Sequence, residues 1–225
     1  MVVDLHQVYA LMFAMVDTPD EFLKLWTTPE GKKKVLAMLE EEYPELSDRY
    51  RYRKAYLRAK PRTMRRLGYL YERLGQAGVP SYLTDQATYD YVRDMIASGR
   101  LRALRADLTG GEAVQGIAGV LESLGIPLRV MYVSNAEQYW RYEKDFRANI
   151  ASLSFDEESV VLRTMAAHRS NGDYRYVLHD ARDYQKKVAD PKIYRVYQFV
   201  PLTPIKGRDH IPFIEIDEEG EVHVH

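Results

Sequence analysis

The stretch from Leu101 to Trp140 constrains the fold more than any other part of the chain. Leu101-Arg-Ala-Leu-Arg-Ala-Asp-Leu108 reads as a strand running into a Thr109-Gly110-Gly111 turn, and Glu112 to Leu124 carries helical spacing. Leu128-Arg-Val-Met-Tyr-Val133 reads as a second strand running into Ser134-Asn135. Two strands joined by a helix make a right-handed βαβ unit. In open α/β sheets, ligands sit outside the carboxyl ends of the strands, which here carry Asp107, Thr109, Ser134 and Asn135.

The flanks supply helices first and strands later. Val2 to Val16 is apolar on most faces, so it is expected to be buried, under the sheet or beneath a partner chain or second copy. Thr18-Pro19 and Thr28-Pro29 are two helix starts, each with a threonine cap and a proline at the first turn. Leu46 to Gly75 is helical and basic, with no acid between Asp48 and Glu72, and Pro61 is expected to break or restart it. Ser81 to Leu83 is a short strand candidate, and Thr84 to Ser98 a helix capped by Thr84 and stopped at Gly99. Beyond Trp140 the helix that starts at Ala136 is expected to reach Ile150. Strands are expected over Ser159–Met165, Tyr174–Leu178 and Tyr194–Val200, with a turn at Asn171-Gly172 and a short helix over Ala181–Val188. Phe213–Ile216 and Glu221–Val224 form a terminal hairpin. The expected layout is one domain over 1–225, with a helical annex at 20–75, a sheet core at 76–200 and a tail at 201–225.

Composition removes several chemistries. The chain has no cysteine, which excludes disulfides, thiolate metal sites and cysteine nucleophiles. No segment is apolar enough to span a bilayer, and no signal peptide is legible, so the cytoplasm is the default location. Neither G-x-S-x-G nor a P-loop pattern occurs. The histidines are scattered. His223 and His225 share a strand face suited at most to weak chelation, and His168 and His179 read as surface or core-edge residues.

Tyr82-Leu-Thr-Asp85, Asp107-Leu-Thr-Gly-Gly111, Met131-Tyr-Val-Ser-Asn-Ala-Glu-Gln-Tyr-Trp140 and Val160-Val-Leu-Arg163 carry a resemblance. From Val2 to Met165 the chain resembles an uncharacterised bacterial domain-of-unknown-function family with an S-adenosylmethionine methyltransferase-like Rossmann fold. The resemblance implies a Rossmann-like α/β sheet, incomplete on its N-terminal side, because this chain begins near the helix that follows the second strand. It also implies S-adenosylmethionine as cofactor, an expectation weakened by the absence of any G-x-G-x-x-G turn.

The candidate ligand residues are Asp107, Thr109, Gly110, Ser134, Asn135, Glu137, Tyr139 and Arg163. Asp107 could accept hydrogen bonds from a ligand's amine or hydroxyls, or Thr109 simply caps the next helix. Asn135 could orient an amine or an adenine-like edge, and Glu137 could act as a base; the plain alternative is that both belong to a helix start. Gly116 and Gly119 are expected to serve close helix–sheet packing. Arg163, in an apolar strand, needs an anion, and a structural pair with Asp107 or Glu137 is favoured over a ligand. The basic tract, with Arg51, Arg53, Arg58 and Arg62, could track a nucleic-acid backbone while its tyrosines stack on bases. A net charge of -1 favours instead a solvated face balanced by Glu40, Glu41, Glu42 and Glu45. Three functions therefore stand open: a methyltransferase-like small-molecule domain, a non-catalytic interaction module and a nucleic-acid binder.

Overall fold

The computed structural model describes residues 2–104, 106–166, 174–200 and 213–224. The protein is mixed α/β and divides into two compact units, 1–105 and 106–225. The Asn171-Gly172 turn lies outside the described residues, as do His168 and His225.

The first unit is helical: α1 (Val2–Met15), α2 (Pro19–Thr27), α3 (Pro29–Glu42), α4 (Leu46–Gln76) and α5 (Gln86–Ala97). Both threonine caps form as read, Thr18 accepting from Glu21 N and Thr28 from Gly31 N. The core is aromatic, with Phe13 stacked on Phe22 at 4.4 Å and Trp26 at 5.1 Å from both Tyr9 and Tyr56. Tyrosine suits this core because its hydroxyl can satisfy the carbonyls orphaned at helix ends. Tyr56 donates to Leu25 O and Tyr89 to Val16 O, both at 2.9 Å.

Three expectations fail in this unit. The break at Pro61 does not occur, and α4 runs straight through it. Tyr52, Ala55 and Tyr56 before the proline, and Leu67 after it, are buried, which outweighs the roughly 3 kcal/mol cost of an interior proline. Ser81–Leu83 is a turn rather than a strand, closed by Thr84 N donating to Ser81 O. Thr84 is spent on that turn, so Asp85 caps α5 instead, accepting from Thr88 N at 2.7 Å.

The second unit holds α6 (Ala113–Ser123), β1 (Val130–Ser134), α7 (Lys144–Ser152), β2 (Val160–Ala166), β3 (Tyr174–Asp180), α8 (Ala181–Ala189), β4 (Phe213–Ile216) and β5 (Val222–Val224). The sheet order is β1-β2-β3-β4-β5. β1–β2 and β3–β4 pair parallel, while β2–β3 and the expected β4–β5 hairpin pair antiparallel. One sheet face carries Val161, Met165, Val177 and Ile214 into a core shared with Phe146, Ile150, Tyr184 and Val188 of α7 and α8. On the other face Val130, Tyr132 and Tyr176 are exposed.

A βαβ unit is present, but one element further along than the sequence suggests: β1 and β2 are the parallel pair and α7 lies between them. Residues 101–104 and 106–108 form no strand. With a side-chain period of two, Leu101 and Leu104 fall on opposite faces, so only the short run Leu104, Ala106 and Leu108 could share an apolar face, and Leu101 and Leu104 are both exposed. The segment 194–200 is not a strand either; it holds a 3-10 turn over Val196–Gln198. The Gln198 side chain accepts from Tyr194 N and Arg195 N and donates to Lys192 O, occupying groups a ladder would need. The helix expected over 136–150 splits into a 3-10 turn at Ala136–Tyr139 and α7.

Gly31 and Gly116 separate two roles. A Cβ on Gly31 would lie 2.0 Å from Lys24 O, at the corner joining α2 and α3, whereas one on Gly116 meets nothing within 4 Å. The same openness at Gly119 means that neither glycine serves close helix–sheet packing. Urea unfolding should show Gly31→Ala destabilising by about 3 kcal/mol and Gly116→Ala stabilising by roughly 0.5–1 kcal/mol.

Candidate functional site

The expected ligand residues separate into three places. Asp107, Thr109 and Gly110 form one self-contained turn. Thr109 donates to Asp107 Oδ1 from both its N–H and its hydroxyl, at 2.9 and 2.7 Å, which holds the Asp107 carboxyl below its usual range. Thr109 does not cap α6, whose N-terminus has no side-chain cap. The turn is tied to α7 by the buried Asn149, which donates to Leu108 O and Gly110 O at 3.0 and 2.8 Å. Tyr139 stands 77% exposed, away from any cluster.

The second place is the carboxyl end of β1. Ser134 there has φ +52°, in the left-handed region that a serine rarely adopts. The strand register slips between Tyr132 and Ser134, so that Ser134 lies opposite Arg163. The chain then turns through Asn135 and carries Glu137 inward, only 1% exposed.

Glu137 and Arg163 meet as the sequence suggests, and Asp107 takes no part. Arg163 is wholly buried and donates from Nε to Glu137 Oε2 at 2.9 Å. Glu137 Oε1 accepts from Tyr142 at 2.6 Å and Tyr184 at 2.8 Å, whose hydroxyls burial and the carboxylate push far above their ordinary pKa. The network continues from Arg163 Nη1 to His179 Nδ1 at 3.1 Å, and from His179 Nε2 to Asp183 Oδ2 at 2.7 Å. A guanidinium only donates, so His179 accepts at Nδ1 and its Nε2–H donates to Asp183. Lys187 stands 3.9 Å from the other Asp183 oxygen.

The sequence reads His179 as a surface or core-edge residue; it is fully buried. Tyr142, Tyr184, His179 and Asp183 were not legible as members of a site, because they come together from separate elements, His179 from β3 and Asp183 and Tyr184 from α8. Arg163, His179 and Tyr184 are fully buried, and Glu137 and Tyr142 nearly so, so a solute has no access to the network. It is an ionic core. Among the described residues no group of His, Asp or Glu is placed to hold a metal. His223 is bound to Asp217 at 2.7 Å. Of the residues expected to meet a methyl-donor cofactor, Asp107 is engaged by its own turn, and Arg163 and Glu137 are sealed.

The third place lies in the helical unit. Tyr52, Ala55, Tyr56 and Leu67 of α4 are buried, whereas Arg53, Lys54, Arg58, Arg62, Arg65 and Arg66 are exposed. At 1.5 Å per residue these cations cover roughly 20 Å of helix. Exposed tyrosines flank them: Tyr50, with Lys54 over its ring at 5.5 Å, and Tyr69, with Arg73 at 5.8 Å. Lys60 is turned inward onto Trp26 O at the end of α2. Arg51 pairs with Asp4 and Asp48 at 3.2 and 3.5 Å, but among the described residues no ion pair joins Arg53, Arg58, Arg62, Arg65 or Arg66 to the acidic run at 40–45. Nor does overall neutrality describe either unit. Residues 1–105 carry 18 Lys and Arg against 14 Asp and Glu, net +4; residues 106–225 carry 14 against 19, net −5.

Two measurements test the ionic core. Arg163→Met leaves Glu137 charged, buried and without its cation, and should cost about 3–5 kcal/mol in chemical denaturation. Adding Glu137→Gln, which keeps an acceptor for the tyrosines without the charge, should recover part of that loss. Burial, with Arg163 beside it, holds the His179 pKa down at about 3, against an ordinary 6.5. The folded imidazole is therefore neutral while the unfolded one binds a proton. Stability present above pH 6.5 is lost as the pH falls toward 3, by up to about 1.4 kcal/mol per pH unit. Asp183, raised by burial, acts in the opposite direction at the acid end. Unfolding titrations should show His179→Gln flattening the loss between about pH 6.5 and 4.5.

No helix among the described residues is long and apolar enough to cross a membrane. No curated protein matches the chain. Residues 1–212 match the family model described as a domain of unknown function, DUF7790, and the chain belongs to that family.

Proposed function

We propose that the protein binds nucleic acid through the solvent face of α4. One observation carries this reading: Arg53, Arg58, Arg62, Arg65 and Arg66 stand exposed on one helix with no ion pair among the described residues. Each such guanidinium is a donor fork suited to phosphate, and neutralising phosphates releases counterions, which drives binding. The tyrosines at either end are platforms on which bases can stack. The sequence-level objection was overall neutrality, and it weakens once the charge is divided between the units, since the helical unit is net positive.

Fluorescence anisotropy with a labelled oligothymidylate across a salt series tests the proposal. Binding should weaken linearly on a log–log plot. Arg58→Gln with Arg62→Gln should lower the affinity and reduce the slope by about 1.4, or 0.7 for each lost phosphate contact to a single strand. An affinity indifferent to salt, or a double variant that binds like the parent, rejects it.

A second reading keeps the methyltransferase-like expectation in reduced form, as a small polar ligand held at the carboxyl end of β1. The left-handed Ser134 favours it, because strained backbone gathers at functional sites. Calorimetric titration with S-adenosylmethionine decides this. Saturable heat lost in Asn135→Ala supports it, and no heat at millimolar ligand removes it.

A further inference from the structure

The apolar character of α1 exceeds what its buried face requires. Val8, Met12 and Phe13 are buried in the bundle, yet Leu5, Tyr9 and Leu11 are apolar or aromatic and only half-buried. Part of this surplus lines a pocket of about 420 Å³ within the helical unit. Leu5, Tyr9 and Phe13 of α1 face Tyr82 and, from α5, Val92 and Ile96. The chain after α5 closes one side. Gly99, at φ +69°, reverses the direction of the chain, and the N–H groups of Arg100 and Leu101 return to Met95 O. That turn lays Leu101, Arg102 and Ala103 along the pocket.

The charges on the lining are of one sign. Arg102 is exposed to solvent at the pocket and forms no ion pair among the described residues; His6 is the other ionisable base, and no carboxylate lines the space. The volume is within the range of small-molecule sites, which combine apolar walls with a few polar groups that fix orientation. An unpaired guanidinium beside an apolar hollow complements an anion attached to a hydrocarbon. It disfavours a cationic amphiphile and offers a neutral hydrocarbon nothing.

We infer that this pocket binds a linear amphiphile with a carboxylate head, the chain lying between α1 and α5 and the head on Arg102. The site is separate from the face of α4 and does not depend on nucleic-acid binding. It also accounts for the apolar first helix without a partner chain.

Displacement of the dye 1-anilinonaphthalene-8-sulfonate from the full chain by octanoate, decanoate and dodecanoate, below their micellar concentrations, is the test. Displacement should saturate at one site and tighten about fourfold per added methylene, the value of one buried methylene, until the chain outgrows the pocket. Dodecanoate should outcompete dodecylamine at least tenfold. Arg102→Glu, on an exposed side chain, should abolish or invert that preference. Val92→Phe should fill the pocket and end displacement while the melting temperature holds. Equal affinity for amine and carboxylate, or displacement indifferent to both substitutions, overturns the inference. So does self-association through this face that dodecanoate fails to reverse.

Discussion

The sheet unit is organised around one buried carboxylate. Glu137 gathers Arg163 from β2, Tyr142 from the entry to α7 and Tyr184 from α8, and through Arg163 it reaches His179 of β3. A buried ion is tolerable only when its partners are complete, because desolvation alone costs several kcal/mol per charge. That requirement dictates the backbone after β1. In an α-helix, residues five apart point about 140° away from each other, so Glu137 and Tyr142 could not converge on one hydrogen bond. The chain instead takes a left-handed step at Ser134 and one 3-10 turn, and restarts its helix only at Lys144.

The same requirement explains which parts of the fold were legible in the sequence. Thr18-Pro19 and Thr28-Pro29 announce helices because cap, proline and first turn are adjacent and settle the matter locally. Arg163 announced a buried ion pair, since an arginine among Val160, Val161 and Leu162 has few other options, and Glu137 proved to be its partner. The unbroken helix expected over 136–150 failed because its competitor lies far along the chain: Tyr184 is 47 residues beyond Glu137. The strand expected over 194–200 lost to a glutamine side chain that took its backbone groups. The strand expected at 101–108 was an error of period. Leu101 and Leu104, three residues apart, fall on opposite faces of a strand, which leaves only Leu104, Ala106 and Leu108 on one face.

The candidate interface was harder to read, for a reason built into averages. A net charge of -1 describes neither unit, and among the described residues no ion pair joins the acidic run at 40–45 to the arginines of α4 that follow it in sequence. Periodicity shows that α4 is two-sided, but whether its polar side is neutralised depends on where other elements deliver their carboxylates. Pro61 adds to the difficulty, because it reads as an interruption and so hides that the basic side chains share one continuous helix.

The two units treat charge in opposite ways, and that contrast supports the proposed function. In the sheet unit the buried charges have partners: Glu137 has Arg163, and Asp183 has Lys187 and a hydrogen bond from the neutral His179. In the helical unit Arg53, Arg58, Arg62, Arg65 and Arg66 of α4, and Arg102, stand at the surface with no ion pair among the described residues. Like charges on neighbouring turns repel, destabilising the helix by a few tenths of a kcal/mol per pair. The aromatic packing of Tyr52 and Tyr56 holds α4 in place against that repulsion. An arrangement that opposes folding and is maintained by a core on the opposite face gains stability as soon as an anion binds, by an amount set by the ligand's concentration relative to its dissociation constant. Function is therefore better sought where charge is left unsatisfied, on the helices, than in the sheet whose charges are already spent on holding the fold.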